Sequence, residues 1–338
     1  MTLTKTLMAA VAATALFVSA GGASAEIQSR TIKFAAQNSK GHPQVTGMER
    51  FAEIVKEKSD GKIAVKLFPG GTLGGDVQTL SALQGGIVEM SVMNAGLLSG
   101  TVKEFGVVDL PFLFGTPEEA DAVMDGPVGT ALTERLPANR LVGLGFWELG
   151  FRHLTNDRHA VKSVGEVAGL KIRTVQSAVP IAMFNALGAN AVPLPYPELY
   201  SALETGTVDG QENPLSNIVN AKFTEVQKYL TLTGHQYNPQ VVLVSKTFWD
   251  KLDADEQALL RDAANEARDY QRKVSRDANA GFLADIKASG MEVTELTPEE
   301  LEGFRAAVQP VVAQFRDQIG GETVDAVAAE LKRLRGTQ

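Results

Sequence analysis

The 338-residue chain contains no cysteine. That excludes a disulfide framework and also a lipid-carrying cysteine at the start of a mature protein. Histidine is scarce as well. His42, His153, His159 and His235 are the four present, and no two stand at the helical spacing of a metal-binding pair, so no metal site is expected. The usual signatures of chemistry are missing too: there is no Gly-x-Ser-x-Gly elbow, no Walker loop, and no Gly-x-Gly-x-x-Gly opening a helix after a strand. Positive charge is in deficit, with 32 Lys and Arg against 40 Asp and Glu, a formal net charge of −8. Such a balance favours solubility and argues against nucleic acid or an anionic membrane surface as partner. A cleft inside an acidic protein can still present a local positive field.

Long apolar runs are confined to the first residues. Lys5, the stretch Leu7 to Ala20 and the small-residue triplet Ala23-Ser24-Ala25 read as a cleavable secretory signal over residues 1–25, with the mature chain beginning near Glu26. The run is shorter than the roughly 20 residues that span a bilayer, and no second run follows. With no cysteine to carry a lipid, the expected product diffuses freely in a periplasm. Loss of Lys5 with the signal changes the formal charge from −8 to −9. The remaining chain is long for one core and suits two domains, and 44% hydrophobic residues fit a globular product.

Element order points to an α/β fold with a largely parallel sheet. Ile32 to Ala36 reads as a buried strand. An amphipathic helix follows Gly41-His42-Pro43, with Val45, Met48, Phe51, Ala52 and Val55 at helical spacing. A strand from Ile63 to Phe68 leads into the glycine run Gly70 to Gly75, which lacks the Lys-Ser/Thr ending of a phosphate cradle and reads as a turn at a cleft rim. Further strands are expected at Leu141 to Trp147, Phe151 to Thr155, Leu170 to Thr174, Ala191 to Leu194, Tyr229 to Thr233 and Gln240 to Ser245. Asp253 with Glu256 forms a helix-start pair, and the helical pattern then holds to about Ala288. A helix of that length is roughly 50 Å long, more than one domain's width. Ser81 to Glu89 and Ser201 to Asp209 echo one another, which is either a repeated element of two similar lobes or a common helix-to-strand junction.

Two arginines lie in segments that otherwise read as interior strand, Arg173 in Leu170 to Thr174 and Arg152 in Phe151 to Thr155. A guanidinium facing inward needs an anion, from the protein or from a ligand, and its planar fork matches a carboxylate in bidentate fashion. A structural ion pair or an outward-facing side chain satisfies the same pattern. The polar segment Val208 to Pro214 reads as a loop at a strand's C-terminal end, where ligands bind in open α/β sheets.

Leu110-Pro111-Phe112-Leu113-Phe114, Gly169-Leu170-Lys171-Ile172-Arg173, Ala186-Leu187-Gly188-Ala189-Asn190 and above all Asp209-Gly210-Gln211-Glu212-Asn213-Pro214 resemble the solute-binding subunits of tripartite ATP-independent periplasmic (TRAP) transporters. The resemblance implies a two-lobed α/β binding protein with hinge strands and a long helix bridging the lobes. Lobe I would hold residues 26–149 plus about 238–277, and lobe II residues 150–237 plus about 278–338. It further implies that Arg173 pairs with a ligand carboxylate, that Arg152 assists, and that Asn213 adds a hydrogen bond. By position, Trp147, Glu148, Asn94 and Tyr237 are candidate pocket lining, with Gln37 and His42 reaching the ligand from the other lobe. Glu148, a carboxylate beside an anion site, is either an acceptor for ligand hydroxyls or the internal partner of Arg152. The implied activity is capture of a small organic acid, such as a C4-dicarboxylate or sugar acid, by lobe closure. A monomer would then deliver it to ion-driven membrane subunits, with no cofactor and no catalysis. An exported enzyme acting on an acid would need a base or nucleophile with an orienting partner, and none stands at recognisable spacing. An extracytoplasmic sensor on the same fold is the other alternative.

Overall fold

The computed structural model describes residues 26–336, so the expected secretory signal lies outside the described residues. Nine strands, β1 (Arg30–Ala35), β2 (Ile63–Phe68), β3 (Met90–Asn94), β4 (Leu141–Asn156), β5 (Lys171–Thr174), β6 (Asn190–Pro193), β7 (Gly210–Asn213), β8 (Tyr229–Ser245) and β9 (Glu292–Glu295), join in one sheet. Its order is β2-β1-β3-β8-β4-β7-β5-β6, with β9 added on β8. The order is symmetric about the β8–β4 pair. On one side β1 runs parallel to β2 and β3, and β3 is antiparallel to β8; on the other β5 runs parallel to β6 and β7, and β7 is antiparallel to β4. The sequence echo falls on matching places. Gly86 (φ 76°) and Gly206 (φ 68°) each follow a helix, in the left-handed conformation open to glycine, and β3 and β7 come next.

β4 and β8 are 16 and 17 residues long, about three times the usual strand, and they pair antiparallel from Leu141 with Ser245 to Asn156 with Tyr229. They carry the chain from one lobe to the other and back. The sequence pattern breaks each into two strands because their middles are polar or glycine-rich, and in β4 the pairing does slip there, with register shifts at Gly143/Phe146, Glu148/Gly150 and Arg152/Leu154. At the second shift Gln271 takes up the freed backbone, accepting from Glu148 N at 2.9 Å and donating to Glu148 O at 2.7 Å.

Apolar residues pack on both faces of each half. Phe34, Phe51, Trp147 and Leu260 share one cluster of the first lobe, and Leu83, Phe105, Val123 and Phe146 another. Ile172, Phe184 and Leu187 form one side of the second lobe, with Leu199, Ile218, Phe223 and Leu230 on the other. The helix Ala254–Ala288 bridges the two as its length implied. Its Leu259, Leu260, Ala263 and Ala267 pack in the first lobe and Ile286 in the second, and it starts at a capping box in which Glu256 N donates to Asp253 Oδ1 at 2.8 Å and Asp253 N to Glu256 Oε2 at 3.1 Å. Among the described residues no helix is long and apolar enough to cross a membrane.

The chain end departs from the expected lobe II assignment of residues 278–338. In the helix Pro298–Ile319, Phe304 and Val308 pack with the second lobe, but Val311, Phe315 and Ile319 pack with Phe105 and Val123 of the first, and Val327 and Leu331 of the helix Gly321–Leu334 follow them. A helix of 22 residues spans roughly 33 Å, enough to pass from one core to the other. Leu331→Ala is therefore expected to destabilise the protein by about 2 kcal/mol, the lower end for a buried leucine because a site near a chain end relaxes. Urea unfolding measures it, and an unchanged midpoint would detach the last helix from the first-lobe core.

Candidate ligand-binding cleft

The lobes meet across a cleft lined by polar side chains from both. His42 caps the helix Pro43–Lys58, its Nδ1 accepting from Gln44 N at 3.0 Å, so Nε2 carries the proton and faces Asn217 Oδ1 and Ser216 Oγ of the opposite lobe, each at 3.2 Å. Burial lowers its pKa to about 4, which keeps the ring neutral. Asn217 Nδ2 donates to Asn38 Oδ1 at 2.8 Å and to Tyr196 OH at 3.0 Å. Asn38 donates on to Gln44, Gln44 to Gln240 and Gln240 to Asn238, at 2.8, 2.8 and 2.9 Å. On the far side Ser177 Oγ donates to Asp109 Oδ2 at 2.6 Å, another contact between lobes. Gly71, at φ 66°, sits where the rims touch; a Cβ there would lie 2.7 Å from Pro197 Cγ, so the glycine run serves close approach.

Arg152 and Arg173 both reach this cleft, in different electrostatic circumstances. Arg152 is buried in a bidentate ion pair with Glu212: its Nε bonds Glu212 Oε2, its Nη2 bonds Glu212 Oε1 at 2.9 Å, and further bonds reach Glu212 O (2.6 Å) and Asn213 Oδ1 (3.1 Å). Burial alone would raise the Glu212 carboxyl, but Arg152 and the His235 hydrogen bond hold it down to about 2. Among the described residues no carboxylate lies within hydrogen-bond reach of Arg173. Its Nε and Nη2 donate to Leu194 O at 3.0 and 2.6 Å, and burial pulls its pKa down to about 10 despite the field of Glu212. Its Nη1 is buried without a partner among the described residues, and the side chain is part of the cleft lining.

Four other residues of the same lining each hold a buried atom without a partner among the described residues: Gln37 Oε1, Asp76 Oδ1, Asn94 Nδ2 and Asn238 Nδ2. Each buried orphan costs about 1–3 kcal/mol, so five on the residues of one cavity lining mark a place built for a polar molecule. Asp76 as a residue is only part-buried, yet its Oδ1 is sealed from solvent. Burial pushes its carboxyl up to about 7 against the attraction of Arg173.

Of the residues singled out from the sequence, Arg173, Arg152, Asn213, Asn94 and Gln37 come together on this lining, and His42 stands behind it as an interlobe contact. Trp147, Glu148 and Tyr237 do not line it. Trp147 lies in the first-lobe core, edge-on to Phe34, with its Nε1 donating to Ala264 O at 3.3 Å. Glu148 turns toward the long helix, where Arg276 pairs with it at 2.6 Å and Tyr237 OH donates to it at 3.0 Å, so the internal partner of Arg152 is Glu212 and not Glu148. Burial still raises the Glu148 carboxyl. The segment Gly210 to Asn213 is a fully buried strand rather than a loop, because its polar side chains find partners inside: Glu212 in Arg152, and Gln211 in Thr155 at 2.9 Å. Asn38, Gln44, Asp76, Tyr196, Asn217, Asn238 and Gln240 were missed. The alternation of polar residues in Gln236 to Gln240 was the available signal for the last of them.

Two lobes joined by crossing strands and a bridging helix, closed over a polar cavity with a buried guanidinium short of a partner, define a solute-binding protein of the flytrap type. Residues 34–318 match the model of the bacterial extracellular solute-binding proteins, family 7, and the chain belongs to that family. It is 68% identical to the TRAP periplasmic solute-binding protein of Ochrobactrum anthropi, solved with the C-terminus bound in the ligand-binding pocket (TM-score 0.82, 92% of this chain and 97% of that one). It is 43% identical to the sugar acid binding protein of Advenella mimigardefordensis in complex with galactonate (TM-score 0.89, 91% and 99%). It is also 36% identical to the 2,3-diketo-L-gulonate-binding periplasmic protein of Escherichia coli (82% and 86%).

Proposed function

We propose that this protein captures a small organic acid anion between its lobes in the periplasm and delivers it, as a monomer, to the membrane subunits of a TRAP transporter. The observation that carries the proposal is Arg173, a guanidinium on the lining of the interlobe cavity that is buried, with no carboxylate to hydrogen-bond among the described residues and with Nη1 unpartnered there. A ligand carboxylate supplies the missing anion. The sugar acid bound by the Advenella relative and the diketo-gulonate of the Escherichia relative both carry that group. Arg152, held by Glu212, adds field and keeps Asn213 in place. The lobes divide within β4 and β8, near residues 149 and 238, and closure swings one against the other there. A ligand drives closure only by its greater affinity for the closed form, through contacts that both lobes make at once. The role is binding without turnover, and residues 1–25 are removed on export.

A thermal-shift screen against a carboxylate library tests this. A ligand at a hundred times its dissociation constant adds about 2.7 kcal/mol of stability, and small-angle scattering with the same ligand should show a smaller radius of gyration. Saturating ligand with an unchanged scattering profile would remove lobe closure; no stabilisation by any carboxylate would remove the function.

A further inference from the structure

The orphaned atoms in the cleft specify more than an anion, because the other end of each amide is fixed. Gln37 Nε2 donates to Gly74 O at 3.1 Å, so its carbonyl oxygen is the free atom. Asn94 Oδ1 accepts from Gly96 N at 2.9 Å, and Asn238 Oδ1 accepts from Gln240 at 2.9 Å, so both present an NH2 group. Among the described residues the cleft lining therefore holds three unpaired donors, on Arg173, Asn94 and Asn238, and two unpaired acceptors, on Gln37 and Asp76. Building on the carboxylate reading of Arg173, we propose that the solute is a monocarboxylate with hydroxyl groups along its chain, which Asp76 and Gln37 select by accepting those hydroxyl protons.

Charge and hydrogen bonding both favour this class. Arg152, Arg173 and Asp76 are the charged side chains of the lining, and Glu212 neutralises Arg152. With Asp76 ionised these four sum to zero, so one bound carboxylate leaves a single excess negative charge facing Arg173. An unsubstituted dicarboxylate such as succinate doubles that excess and brings no proton for Gln37 or Asp76 to accept. An unsubstituted fatty acid satisfies Arg173 and leaves Gln37 and Asp76 unpaired. A hydroxyl can donate to either acceptor and accept from Asn94 or Asn238 with its lone pairs. The shift of Asp76 toward the neutral form is what a sealed carboxylate shows before such a donor reaches it.

The test is titration calorimetry with C4 to C6 aldonates, succinate and hexanoate as probes, on the wild type, Asp76→Asn, Gln37→Leu and Arg173→Ala, with circular dichroism to verify folding. At least one aldonate should bind the wild type about tenfold or more tighter than succinate and hexanoate, the scale of one buried hydrogen bond. Asp76→Asn should weaken that aldonate by about tenfold and narrow its lead over succinate, since the amide repels a second carboxylate less than a carboxylate does. Gln37→Leu should weaken it as well, and serves should Asp76→Asn misfold. Succinate or hexanoate binding the wild type as tightly as every aldonate, or unchanged aldonate affinity in both lobe I variants, overturns the hydroxyl selection and leaves the carboxylate function standing. Failure of all three probe classes overturns the hydroxyl selection, and failure of the whole carboxylate library overturns the carboxylate function with it.

Discussion

Arg173→Ala is expected to weaken binding of the organic acid by about two orders of magnitude or more while the ligand-free protein stays folded. Losing one partner of a desolvated guanidinium–carboxylate pair costs about 2 to 5 kcal/mol, and about 2.7 kcal/mol is a hundredfold in affinity. Stability should not fall with it. Arg173 is buried, hydrogen-bonds only the carbonyl of Leu194 among the described residues, and has its pKa pulled down to about 10, so in the ligand-free protein it is a charge held at a cost. Arg173→Lys keeps the charge and loses the fork, and its affinity should lie between the two. Calorimetry with the identified ligand decides affinity and urea unfolding decides stability. Near-wild-type binding in both variants would remove Arg173 from the site; collapse of the fold in Arg173→Ala would make it a structural residue.

Glu212→Gln is expected to lower stability by about 3 to 5 kcal/mol, because it leaves the Arg152 guanidinium charged, 1% exposed and without its carboxylate. The same pair carries a pH dependence of definite sign. The folded-state pKa of Glu212, about 2, lies below its ordinary 4.5, so the carboxylate contributes its full stabilisation above the ordinary value and loses it as pH falls through about 2. The wild type should therefore lose stability over that acid window, and Glu212→Gln should lose less there. A variant within 1 kcal/mol of wild type in urea, or an identical acid profile, would show that the buried pair contributes nothing net.

Arg152 and Arg173 show how much of the site is legible in a sequence. Both stand out as permanent charges within apolar strand patterns, and the family resemblance adds the expectation that Arg173 and Asn213 meet the ligand. Asp76 does not stand out. An acidic residue in the first turn of a helix is ordinary capping chemistry, and only the approach of the second lobe brings it under Arg173. Asn38, Gln44 and Gln240 likewise read as loop, helix and strand polar residues of no particular purpose. Their meaning lies in a hydrogen-bonded chain whose bonded partners stand up to 196 residues apart.

What the sequence by itself determined is local: the strand Ile63 to Phe68, the strand expected over Leu170 to Thr174 and found from Lys171, the start of the long helix at Asp253 with Glu256, and the repeated helix-glycine-strand unit. Those follow from side-chain periodicity and capping, which act within a few residues. Partner choice was decided by tertiary structure. Glu148 and Arg152 are four apart in β4 and would share a face of a regular strand, but the register shift between Glu148 and Gly150 turns the first toward Arg276 of the long helix and leaves the second facing Glu212. A single unpaired residue in a ladder re-aims every side chain beyond it, and no pattern of polar and apolar residues announces where that slip falls.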